Sequence, residues 1–113
     1  MESDAEIPVY VTIKDMVDDI VGWASGTFPN RDFHVVQRKL AMCEIPELVI
    51  ALGSGDKEAI AGEVADNVIL LVDVCEQLGI DFAQVVHKKL QTNKGRQWTI
   101  DKHGMSQHVK SDE

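Results

Sequence analysis

Residues 44–66 read EIPELVIALGSGDKEAIAGEVAD: two apolar segments, each carrying two acids three residues apart, flank a Gly-Ser-Gly turn. Glu44 and Glu47 precede the turn, and Glu63 and Asp66 follow it. On a helix, side chains three residues apart share a face. If Gly53-Ser54-Gly55 reverses an antiparallel helical hairpin, Glu44 faces Asp66 and Glu47 faces Glu63, because each couple is centred on Gly55. The faces involved are apolar. Glu44 and Glu47 share a stripe with Leu40, Leu48 and Ala51, and Glu63 and Asp66 share one with Ile60, Leu70 and Val74. Four carboxylates thus converge on a helix interface, where an unpaired charge costs on the order of several kcal/mol and like charges add to that. Such a cluster needs raised pKa values or bound cations. Hard divalent ions such as Mg2+, with Mn2+ able to substitute, match an all-oxygen donor set.

The rest of the chain is consistent with an oligomeric helical subunit. Its 113 residues suit one domain, 1–113, in which 99–113 reads as a C-terminal tail without clear periodicity, and 44% hydrophobic with 27% charged residues is an ordinary globular composition. A core this small leaves apolar surface that association, as a homodimer or homotetramer, would bury. The net charge of −8 argues against a nucleic-acid partner, which calls for a basic patch. Cys43 and Cys75 fall inside apolar helical pattern and are expected as reduced, packed thiols. Met1 to Glu6 is acidic, without the basic-then-apolar order of a signal peptide, and no apolar run reaches about 18 residues, so a cytoplasmic protein with no membrane partner is expected.

Helical spacing of Val11, Ile13, Met16, Val17, Ile20 and Val21 predicts a first helix from about Thr12 to Ala24, ended by Gly26 and Pro29. Asn30 is the expected N-cap of a second helix, through Phe33, Val36, Leu40, Ile45, Leu48 and Val49. Pro46 interrupts this helix, either bending it at the acid pair or starting a new one. A third helix, from about Asp56 to Leu78, is apolar on every face and therefore central. Gly79 ends it, and a fourth follows Asp81 to about Lys94. The expected fold is all-α, with four helices.

Downstream, Lys89, Asn93 and Arg96 make one polar helical face before Trp98. Together with Glu44-Ile45-Pro46-Glu47-Leu48 and Glu63-Val64-Ala65-Asp66, this pattern resembles the MazG-like, all-α nucleoside triphosphate pyrophosphohydrolases. That family shows EExxE, then ExxD, then a lysine, asparagine and arginine before a tryptophan. The likeness runs from about Trp23 to Trp98, and Asp101 to His108, with Gly104, is similar to phage-type members. Cys43 departs from it, standing where the first acid of EExxE would be.

The resemblance implies a bundle subunit and metal-dependent hydrolysis of (deoxy)nucleoside triphosphates to monophosphate and pyrophosphate, as nucleotide-pool control. Glu44, Glu47, Glu63 and Asp66 would hold metal, Glu47 and Glu44 would be catalytic, and Lys89, Asn93, Arg96 and Trp98 would bind substrate. The alternative is a non-catalytic oligomeric helical regulator, with the acids solvated or salt-bridged. Di-iron chemistry is disfavoured because no Glu has His three residues later, and His34, His87, His103 and His108 lack mutual ligand spacing. Trp23 and Trp98 suit either base stacking or apolar packing.

Overall fold

The computed structural model describes residues 9–110, so the acidic stretch Met1–Glu6 lies outside the described residues. The chain divides into two compact units, Met1–Phe82 and Ala83–Glu113. The described residues are mostly helical, in agreement with the all-α expectation. None of their helices is long and apolar enough to cross a membrane.

In the first unit, α1 spans Ile13–Thr27, opened by a capping box in which Thr12 and Asp15 each bond the other's backbone N–H. It ends before Pro29, one residue beyond Gly26. The cap of α2 (Phe33–Lys39) is Asp32, not Asn30: its Oδ1 accepts the N–H groups of His34 and Val35. A carboxylate there also meets the positive end of the helix dipole.

At Pro46 the structure takes the second of the expected paths, a new helix with the proline in its first turn, but it reaches that helix through a wider turn. Leu40–Glu44 forms a π turn, in which Ile45 N–H donates to Leu40 O, and α3 (Ile45–Ser54) follows with helical backbone angles on both sides of the junction. Proline donates no N–H and crowds the carbonyl four residues back. A wider turn just before it absorbs that defect without breaking the helical path. Gly55, at φ 72°, then reverses the chain in the left-handed region. Asp56 caps α4 (Lys57–Gln77) through Oδ1 to Glu58 N and Ala59 N.

The long α4 is central, packing against α1, α2, the π turn and α3. The buried apolar residues of this unit are Ala24, Val36, Ala51 and Val72, one from each of its four α-helices. Met42, Ile45, Val49, Ile50 and Leu52 remain exposed, which gives the π turn and α3 an uncovered apolar face.

One polar link crosses this core. Asp73, 4% exposed, accepts Arg31 Nε at 2.9 and 2.8 Å and Nη2 at 2.7 Å, and Gln77 Nε2 at 3.0 Å. It ties the α1–α2 connection to α4 and holds the Arg31 guanidinium above its usual pKa through the hydrogen bond, despite burial.

In the second unit, α5 (Phe82–Lys94) precedes an antiparallel hairpin of β1 (Trp98–Ile100) and β2 (Ser106–His108), with Trp98 paired to His108. The hairpin lies in the segment read from sequence only as a tail. Asp101 organises its turn, its Oδ1 accepting Met105 N and His103 N, and these bonds hold its carboxyl below the usual carboxylate range.

Removing one partner of a buried ion pair strands the other charge. Asp73→Ala is therefore expected to cost about 3 kcal/mol in urea unfolding, and an Arg31→Met, Asp73→Leu pair to recover most of that. A midpoint for Asp73→Ala within error of wild type would show that the link carries no net stability.

Candidate metal centre

Glu44 is the last residue of the π turn, Glu47 lies in the first turn of α3, and Glu63 and Asp66 sit on α4. The two elements are tied together at this level by Asn67, a buried residue absent from the sequence reading. Its Nδ2 donates to Glu44 O at 3.1 Å and to Glu63 O at 2.8 Å, so one amide joins the backbones of two acids on facing elements.

Three of the four acids come together. One carboxylate oxygen from each of Glu44, Glu63 and Asp66 lies within 4.8 Å of the others. Glu44 is 8% exposed, and both its Oε2 and Glu63 Oε2 are buried without a hydrogen-bond partner. Lys39 Nζ lies 3.4 Å from Glu44 Oε1. Glu47 is exposed and stands beside Glu63, outside the trio. Cys43, in place of the family's first acid, is half-buried.

The electrostatics follow. Desolvation, then the charges of Glu47, Asp66 and Glu44 and a hydrogen bond shared with Glu47, push the Glu63 carboxyl above its ordinary value. A cluster with two orphaned buried oxygens and a purely oxygen donor set fits a hard divalent cation, which would replace the missing donors.

Two of the trio, Glu44 and Asp66, line a cavity of about 240 Å3 together with Trp23, Phe28, Lys39 and Asp73. A larger, mostly apolar cavity of about 560 Å3 shares Phe28, Lys39, Leu70 and Asp73 with it. Trp23 meets Phe28 edge to face, with ring centroids 5.7 Å apart.

Lys89, Asn93, Arg96 and Trp98 belong to the second unit. There Trp98 Nε1 donates to Asn93 O at 2.7 Å, Arg96 Nη1 to Asn93 Oδ1 at 3.4 Å, and the Trp98 ring meets His108 edge on. Lys89 is exposed on α5. Sequence reasoning missed Asn67, Lys39 and Asp73. An Asn and an Asp inside the apolar run from Val64 to Val74 were the available signal, since each demands a buried partner, but only tertiary structure names that partner.

A carboxyl whose folded-state pKa lies above its unfolded value binds more protons when folded, so stability falls as pH rises from the unfolded pKa through the folded one. Without metal, Glu63→Gln should melt above wild type at pH 7, and the gap should close as pH falls toward the ordinary value of 4.5. With Mn2+ the order should reverse, because the variant loses a ligand charge. Melting curves in EDTA and in Mn2+ check both signs, and an unchanged Mn2+ response would remove Glu63 from the site.

No protein-family model matches the chain. It is 40% identical over 98 residues to a dATP/dGTP diphosphohydrolase of Salmonella phage PMBT28, covering 87% of this chain and only 32% of that longer protein. It is 30% identical over 98 residues to a dATP/dGTP diphosphohydrolase of Cyanophage S-2L, covering 87% of this chain and 89% of that one. Among solved structures it resembles the Cyanophage S-2L MazG-like pyrophosphohydrolase bound to dGDP and three catalytic Mn2+ ions, with a TM-score of 0.70, 29% identity, and coverage of 89% of this chain and 100% of that one. With the all-α fold and the acid cluster in place, these likenesses assign the chain to the phage MazG-like pyrophosphohydrolases.

Proposed function

We propose that the protein hydrolyses purine deoxynucleoside triphosphates to the monophosphate and pyrophosphate, using Mg2+, or Mn2+ in its place, as cytoplasmic control of the nucleotide pool. The convergence of Glu44, Glu63 and Asp66 with two orphaned carboxylate oxygens carries this reading. The purine preference follows the names of both phage relatives.

Glu44, Glu63 and Asp66 hold the ions, with Glu47 at their edge. A bound divalent ion offsets phosphate charge and acidifies a water ligand. Glu47, exposed and next to Glu63, would take the proton of the water that attacks the α-phosphorus, as the bond to the β-phosphate oxygen breaks; its nearness to Glu63 supports this role. Glu44 is nearly inaccessible and bonded by Lys39, which favours metal holding over proton transfer. Trp23 and Phe28 supply an apolar wall beside the acids for the base. Lys89 and Arg96 would contact phosphates and Asn93 and Trp98 the nucleotide, the polar face of α5 supporting this role. The chain works as one functional domain, as a homodimer or homotetramer whose contact buries the apolar face of Ile45, Val49, Ile50 and Leu52. It needs no nucleic acid.

The test is metal-dependent pyrophosphate release across deoxy- and ribonucleoside triphosphates. Asp66→Asn should lower kcat about 100-fold with partial recovery at high Mn2+, and Glu47→Gln should fall similarly without recovery. Lys89→Ala and Arg96→Ala should raise KM at unchanged metal requirement. Full activity in all four variants would make these side chains structural and place the chemistry elsewhere, and no pyrophosphate release by wild type from any triphosphate would end the enzyme reading.

A further inference from the structure

Lys39 is the one cation that reaches the acid trio among the described ion pairs, and its position comes from the π turn. Five residues along a regular α-helix amount to roughly 500° of rotation, which would set Lys39 and Glu44 on different sides. Across the π turn Leu40–Glu44, hydrogen bonding steps by five residues, and the two side chains meet at 3.4 Å. Lys39 also lines both cavities, whereas Glu44 lines only the one that adjoins the acids. The Lys39 side chain is 54% exposed on a four-carbon stem, so its ammonium can leave Glu44 at little cost in packing.

We infer that Lys39 is an exchangeable counter-ion: it occupies Glu44 when the acids hold no metal, and on metal binding it swings away from Glu44 into the cavity that Glu44 and Asp66 line, to meet the triphosphate. This rests on the reading that the acids bind divalent cations. Electrostatically the exchange is natural. A divalent ion at Glu44 repels the ammonium, while a triphosphate entering the cavity brings several negative charges to the space that Lys39 already lines. Lys39 would then oppose metal loading before substrate arrives and favour it afterwards, which couples the two binding steps.

The experiment titrates Mn2+ alone into the 113-residue chain by calorimetry, and then a non-hydrolysable deoxynucleoside triphosphate at saturating Mn2+. Lys39→Met keeps the stem and removes the charge, and Lys39→Arg keeps the charge. Lys39→Met should bind the first Mn2+ about three- to tenfold more tightly, a modest factor because the pair is half exposed. It should bind the triphosphate at least about fivefold more weakly, and Lys39→Arg should stay near wild type in both. Wild-type Mn2+ binding matched by Lys39→Met would overturn the counter-ion role and leave the metal site standing. Tighter Mn2+ with unchanged triphosphate affinity would overturn the exchange. A wild-type protein that binds no Mn2+ would overturn the site and the exchange together.

Discussion

The acid cluster depends on a single side-chain amide. Asn67 spans Glu44 O and Glu63 O, joining the π turn to α4 at the level where carboxylates must meet. Without that clamp, like charges within 4.8 Å would drive the two elements apart. A buried amide satisfied by two carbonyls resists that repulsion at close range, since leaving either group unpaired costs about 1–3 kcal/mol.

The cluster is therefore a site whose function opposes its own stability. Burial, then the charges of its neighbours, raise the Glu63 carboxyl above its ordinary value, and two buried oxygens lack hydrogen-bond partners. The opposition is met at a distance: the Arg31–Asp73–Gln77 link lies further along α4, where it anchors the α1–α2 connection. The aromatic pair, Trp23 on α1 and Phe28 at its end, lines the same cavity as Glu44, Asp66 and Asp73, so an apolar wall from α1 adjoins both the acids and the polar link.

Pro46 and the π turn are one feature. The missing N–H of the proline makes an undisturbed α-helix unfavourable there, and the wider turn that results moves Glu44 into register with Lys39. A local backbone defect is thereby turned into side-chain geometry at the metal centre, in keeping with the tendency of π turns to occur at functional positions.

Sequence by itself determined the all-α class, the hairpin turning at Gly55, the central place of the third long helix and the family. These depend on periodicity, caps and spacing, which are local properties written along the chain. It also set the acid pairs of the two helices facing each other, because helices joined by a tight turn have a register that the residue numbers set, although Glu47, expected opposite Glu63, stays outside the trio that forms. Tertiary structure alone decided the rest. Asn67, Arg31 with Asp73, and Lys39 with Glu44 acquire their roles from partners that linear pattern cannot name, and the π turn changes the face on which side chains fall. The cap at Asp32 in place of Asn30, and the hairpin of Trp98–Ile100 with Ser106–His108, likewise rest on side-chain bonds to backbone, at Asp32 and at Asp101, that periodicity does not record.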